Sequence, residues 1–293
     1  MNARPQPDRE HAGSSLVYVY GVARISHDCE PAALPPEGIV VGAPVCRLVH
    51  GDLVAFGSTV PASQFGAREL RTALADTDWL RDRIFAHEKT LEQLRSSYSL
   101  VPFRFCSIYR DATRVSDALK RHHAELDQAL DRVRGASEWG LKLYCDTDIL
   151  RCRLEAATGG MRALRDAVMT ASPGTRFFLQ KNFEHALDAE VAAAITRCVE
   201  QSRRCFEAYA RESAAVPVQP PAAHGKSAEM VLNAAYLVDE KALDEFRCAL
   251  AARRAESAAH GFSYDLTGPW PPYHFVTPGQ EGTEDAAPPD QHE

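Results

Sequence analysis

Leu16-Val17-Tyr18-Val19-Tyr20-Gly21-Val22 decides how the first part of this chain folds. β-Branched and aromatic residues crowd the run, so it is expected to form a strand that starts a core. Toward the C-terminus comes a loop with Pro31, Pro35 and Pro36. Residues 45–49 and 53–56 then flank Gly51-Asp52 and read as a hairpin. The dipeptide is neither Asn-Gly nor Asp-Gly, so its register stays open. Residues 61–97 turn helical, because Ile84, His87, Leu91 and Leu94 recur at steps of three, four and three, one helix face. Leu100-Val101-Pro102-Phe103-Arg104-Phe105 is expected to be a second strand, placed at an edge or a strand start by Pro102. Residues 115–133 make an amphipathic helix with Leu119, Leu126, Leu130 and Val133 as its stripe, and Gly135 stops it. Residues 139–144 alternate like a third strand.

That order of elements implies an α+β protein. The expected N-terminal domain is a modified ferredoxin-like domain over residues 16–147, with helices over one face of its sheet. A C-terminal α+β domain with a long helical hairpin is expected over residues 148–276. Its hairpin pairs a helix at 148–170, weakened at Gly159-Gly160, with an Ala-rich helix at 180–211 beyond the turn Pro173-Gly174. Pro217, Pro220 and Pro221 mark a loop. Residues 230–238 then read as a strand, Asp239 as a helix cap, and Leu243, Phe246 and Leu250 as a buried stripe. Phe262, Tyr264 and Leu266 alternate with polar residues, as in a half-buried strand. The tails, 1–15 and 277–293, are expected to be disordered; the second is acidic and has no Lys or Arg.

Composition narrows the function classes. The 293 residues are 45% hydrophobic and 25% charged, as in globular proteins, and the net charge of -7 argues against a nucleic-acid partner. No apolar run approaches a membrane span. Residues 1–15 lack the apolar core of a secretory signal, so a cytoplasmic location is expected. The eight cysteines form no CxxC pair, and in that compartment they are expected to stay free.

Catalytic constellations are missing from the sequence. It holds no Walker A loop, no GxGxxG after a strand and no GxSxG elbow. Neither an enzyme activity nor a cofactor nor a metal is expected. His87-Glu88 opens like a zinc HExxH, but Leu91 stands where the second ligand belongs, so a packed histidine is the expectation. His122 and His123 are helix neighbours that point about 100° apart and do not converge on one ion. Arg104 falls, by alternation, on the face opposite Phe103 and Phe105. There it either pairs with a carboxylate such as Glu88 or Asp117, or contacts an anion. In Glu138-Trp139-Gly140 the Trp reads as core and the Gly as a bulge or a close backbone approach. Gly268-Pro269-Trp270-Pro271-Pro272-Tyr273-His274-Phe275 is extended by its prolines. It either folds back as a clasp on its own, C-terminal domain or presents its aromatics to a partner.

In order along the chain, Tyr18-Val19-Tyr20-Gly21-Val22, Trp79-Leu80, His87-Glu88, Val101-Pro102-Phe103-Arg104-Phe105, Glu138-Trp139-Gly140-Leu141-Lys142 and Thr267-Gly268-Pro269-Trp270-Pro271-Pro272-Tyr273 resemble the GvpF/GvpL family of gas vesicle accessory proteins. Cys106 departs from that pattern, in which a Gly usually follows the Arg-Phe pair. The resemblance implies an accessory role in gas vesicle assembly, at the vesicle, with the small hydrophobic shell protein and other accessory proteins as partners. It supplies no catalytic residues. The candidate contact residues are Arg104, Trp270, Tyr273 and Phe275. An α+β regulatory or ligand-sensing protein is the alternative.

Overall fold

A computed structural model describes residues 15–25, 32–157 and 159–276. The tails expected to be disordered lie outside these residues, apart from Ser15, which opens the first strand. The chain divides into two compact units. Residues 1–135 together with 271–293 form the first, and Ala136–Trp270 forms the second.

The first unit runs β1 (Ser15–Arg24), β2 (Cys46–His50), β3 (Leu53–Pro61), α1 (Ala62–Phe65), α2 (Ala67–Ala73), α3 (Thr77–Arg95), β4 (Leu100–Pro102), β5 (Ile108–Tyr109), α4 (Ala112–Arg121) and α5 (His123–Val133). Its antiparallel sheet has the order β2-β3-β1-β4, with β5 also on β1. The hairpin register left open by the sequence pairs Cys46 with Gly57 and His50 with Leu53. β1 and β3 are antiparallel neighbours, and no helix lies between β1 and β2 among the described residues. The unit therefore departs from the βαββαβ order of a ferredoxin-like domain.

Both faces of this sheet are covered, not one. Tyr18, Tyr20, Ala23, Val54 and Phe56 pack with Phe65, Leu91 and Leu94 on one face. Val19, Val22, Leu53 and Ala55 pack with Val115, Leu119, Leu126 and Leu130 on the other. Strict alternation would put Val22 with Tyr18 and Tyr20. A bulge between Val19 and Gly21 inserts one residue and returns Val22 to the side of Val19. Gly21 is needed there, because a Cβ on it would stand 2.6 Å from the Val101 carbonyl oxygen of β4.

Several boundaries differ from expectation. The region 61–97 is three helices; Asp76 caps the third by accepting from the backbone N–H groups of Asp78 and Trp79. His87, Leu91 and Leu94 face inward, but Ile84 is exposed. The helix expected over 115–133 breaks at His122 into α4 and α5, while its stripe stays buried.

The second unit runs β6 (Ala136–Cys145), α6 (Thr147–Ala157), α7 (Gly159–Thr170), α8 (Pro173–Glu207), β7 (Glu212–Ala215), α9 (Pro221–His224), β8 (Glu229–Asp239), α10 (Leu243–Ser257) and β9 (Phe262–Trp270). Its antiparallel sheet has the order β7-β8-β6-β9. The strand expected to close the first domain, β6, is thus central here. The boundary expected near Thr147 falls inside this unit, because β6 finds its partners in β8 and β9 rather than in the strands before it. Pro173, read as a turn residue, instead starts α8, since a missing N–H costs nothing in a first helical turn. α6 and α7 both pack on α8, which makes the helical hairpin. Phe206, Tyr236, Phe246 and Tyr264 form the aromatic centre of the unit's core, and the Tyr264 hydroxyl lies 2.7 Å from Ser202 Oγ. Asp239 stands at the N-cap of a short 3-10 helix, but its side chain makes no cap hydrogen bond and pairs with Arg211 instead.

Candidate functional site

Within the first unit the scattered sequence motifs meet around His87. α3 carries this side chain into the core, where it is fully buried. Its Nδ1 lies 2.8 Å from the Tyr18 hydroxyl of β1, and its Nε2 lies 3.1 Å from the Tyr273 hydroxyl. Tyr18 also accepts from the Cys106 N–H at 3.1 Å, and Tyr273 donates to Glu88 Oε1 at 3.0 Å.

These contacts fix the direction of the protons. Tyr273 has one proton and gives it to Glu88, so toward His87 it accepts, and His87 carries its proton on Nε2. Nδ1 is then the acceptor for Tyr18. The chain runs from Cys106 N–H through Tyr18, His87 and Tyr273 to the Glu88 carboxylate, with every ring nitrogen and hydroxyl paired. Burial pushes the imidazole down to about 4, partly offset by the Phe103 backbone, and keeps it neutral. Burial raises the Glu88 carboxyl; the Tyr273 hydroxyl and the Arg95 charge oppose this. The Phe105 ring stands edge-on to His87 at 5.8 Å. The packed histidine expected from the sequence is what the fold contains.

Tyr273 belongs to the segment 271–276, which packs in the first unit and not, as a clasp on its own domain would, in the second. Pro271, Pro272, Phe275 and Val276 are buried. Val276 joins the core beneath α4 and α5, and the Phe275 carbonyl accepts from Arg132 at 3.2 Å. Two of the four candidate contact residues, Tyr273 and Phe275, are therefore committed to packing. Phe275 is buried, while Tyr273 is half-buried.

Arg104 and Trp270 remain at the surface. β4 ends at Pro102, so the strand expected through Phe105 is short and its alternation does not extend to Arg104. A turn follows instead, which sends Phe103 and Phe105 to opposite faces of the sheet. Arg104 is exposed and has no ion pair among the described residues; the pairing expected with Glu88 or Asp117 does not form. Cys106 sits in the same turn at φ 67°, the left-handed region that favours Gly. Its thiol is pushed up to about 12 by burial.

In the second unit, Gly140 marks a bulge, and what crowds it is a side chain rather than a close backbone. The β6–β9 register shifts between Glu138 and Gly140, and a Cβ on Gly140 would stand 2.8 Å from Thr267 Oγ1. That hydroxyl accepts from Trp270 Nε1 at 3.1 Å, which holds the half-exposed indole at the end of edge strand β9. Trp139 is core, with the Arg247 guanidinium 5.1 Å from its ring centre.

His122 and His123 turn to different partners, Glu125 and Asp52. Among the described residues no three His, Cys, Asp or Glu side chains converge on a possible metal position. The described cysteines are all free; Cys29 lies outside them. No helix among these residues is long and apolar enough to cross a membrane.

Two α+β units whose motif residues hold strands, helices and a returning segment together define an α+β protein built on shared packing signatures. Residues 16–277 match the family described as "Gas vesicle synthesis protein GvpL/GvpF", and the chain belongs to that family. It is 31% identical over 274 residues to gas vesicle protein L of Streptomyces sp. (strain CB03234), covering 91% of this chain and 94% of that protein. It is 30% identical over 271 residues to gas vesicle protein F of the same strain, covering 88% and 98%. The crystal structure of GvpF from Anabaena sp. PCC7120 has the same fold, with a TM-score of 0.64 at 16% identity over 90% of this chain and 97% of that one.

Proposed function

We propose that this chain is a gas vesicle accessory protein that binds the small hydrophobic shell protein during assembly, as a minor structural or chaperone-like component without catalytic activity. Family membership along nearly the whole chain carries the reading. An apolar shell subunit exposes aggregation-prone surface before it joins a wall, and a partner that covers that surface solves the problem. Edge strand β9, which ends on half-exposed Trp270, offers a site for strand addition with an aromatic anchor. Arg104 offers a free guanidinium in the other unit. Tyr273 and Phe275 contribute to packing within the first unit.

The test is co-purification of the shell protein with this chain from cells that express both. Stable association that Trp270→Ser or Arg104→Glu weakens, with unchanged melting temperature, supports the reading. Absence of association, with normal vesicles in a strain lacking this protein, sinks it.

One observation favours a ligand-sensing role. An open cleft of about 680 Å³ in the first unit is lined by Arg68, Asp76, Trp79 and Arg83 among others. A saturable rise in melting temperature with an anionic metabolite, abolished by Arg68→Ala, would support that second reading.

A further inference from the structure

The helical hairpin in the second unit carries large exposed apolar side chains near its turn. Met169 at the end of α7 is 72% exposed, and Phe177 and Phe178 in the first turns of α8 are 59% and 68% exposed. The two rings stack edge to face with centroids 5.7 Å apart, so they present one block of aromatic surface. Neither the hairpin's own core nor the rest of its unit needs them, since Phe183, Leu187 and Val191 of α8 fill that core. Large exposed apolar groups side by side mark interaction sites.

The surrounding charge selects the occupant. Residues 161–182 contain four Lys or Arg and one acid, Asp166, in a chain of net charge -7. Arg165, Arg176 and Lys181 are exposed and make no ion pair among the described residues. Lys181 Nζ stands 5.0 Å from the Phe177 ring centre, and Arg176 donates only to the Ala171 carbonyl. A second copy would bring like charges together, which argues against self-association here. The acidic tail 277–293 offers carboxylates but no large apolar side chain to cover two Phe rings.

We propose that the hairpin tip docks an acidic amphipathic helix of a partner protein. Apolar residues of that helix at i, i+3 and i+4 spacing cover Met169, Phe177 and Phe178, while its carboxylates meet Arg165, Arg176 and Lys181. The occupant is a protein because the proposal rests on the assembly reading. Its residues are other than Trp270 and Arg104.

The experiment uses the full chain and two synthetic helical peptides with one shared leucine pattern, carrying either Glu or Lys on the polar face. Binding is read by fluorescence anisotropy. The Glu peptide is expected to bind and to weaken with salt, and the Lys peptide to bind at least tenfold more weakly. A Phe177→Ser/Phe178→Ser double variant should lose at least tenfold for the Glu peptide with unchanged melting temperature. An Arg165→Glu/Lys181→Glu variant should reverse the preference between peptides. Equal binding of both peptides, or full binding by both variants, overturns the proposal. So does preference for phosphatidylglycerol vesicles over the Glu peptide, which would make the tip a membrane contact. Self-association abolished by the Phe pair variant overturns it in favour of a second copy. If the Glu peptide fails while the shell protein still co-purifies, the docking surface falls and the assembly reading stands. If the shell protein does not co-purify and vesicles form normally without this chain, although the Glu peptide binds, the assembly reading falls and the docking surface stands.

Discussion

Tyr273 reaches His87 across 186 positions of sequence, its hydroxyl 3.1 Å from Nε2. The same hydroxyl donates to Glu88, so a single phenol fixes the tautomer of a buried imidazole and anchors the returning segment.

Tyr273→Phe should therefore cost more than a surface substitution. It leaves the buried Nε2–H without its acceptor and takes a donor from a half-buried carboxylate, a loss of about 1–3 kcal/mol. Chemical denaturation should show that loss, and Trp270→Phe, at an exposed indole, should change stability by less than about 0.5 kcal/mol.

Acid should loosen the first unit through His87. Its folded value is near 4, below its ordinary 6.5, so the unfolded chain binds the proton first. The contribution is complete above pH 6.5, falls as pH drops, and is lost as pH passes through 4. Across that window the loss is on the order of 3 kcal/mol. The Tyr18, Tyr20 and Phe105 rings and the Tyr273 hydroxyl face the imidazole, and Glu88, reached through Tyr273, is the carboxylate nearest this chain of contacts. His87→Gln keeps Glu88 but removes the titration. Its stability should vary less than that of the parent between pH 6.5 and 4; an unchanged slope would contradict the assignment.

Cys106→Gly should hold or raise stability. At φ 67° a side chain costs roughly 1–2 kcal/mol, which glycine removes, against a smaller entropy gain in its unfolded chain. Cys106→Val should destabilise by more than about 1 kcal/mol, because a branched Cβ tolerates that backbone least. Urea midpoints of the two variants on either side of the parent are the expected order.

Gly140→Ala should destabilise the second unit by about 1–3 kcal/mol, since its Cβ meets Thr267 Oγ1. Thr267→Ala removes that obstacle. The double variant should be more stable than the sum of the two single effects predicts, a coupling that a double-mutant cycle measures.

Much of the architecture was legible in the linear pattern. The run from Leu16 to Val22, the hairpin at Gly51-Asp52, the inward face of His87, Leu91 and Leu94, and the strand at Phe262 and Tyr264 follow from period and residue type alone. The ordered motifs pointed to the family that the match over 16–277 shows. Local pattern also showed His87 as a packed residue rather than a ligand, because one helix turn lacked the second histidine.

Tertiary structure alone decided which strands pair, and thereby which unit owns each element. β6 has the alternation of any strand, and only β8 and β9 draw it into the second sheet. Likewise nothing local in Pro271-Pro272-Tyr273 says whether its aromatics face solvent or core; that depended on an imidazole held by α3. Periodicity reports the shape of a segment and which side is apolar. Partners far apart in sequence are chosen by burial and hydrogen-bond satisfaction across the whole fold, which no window of sequence contains.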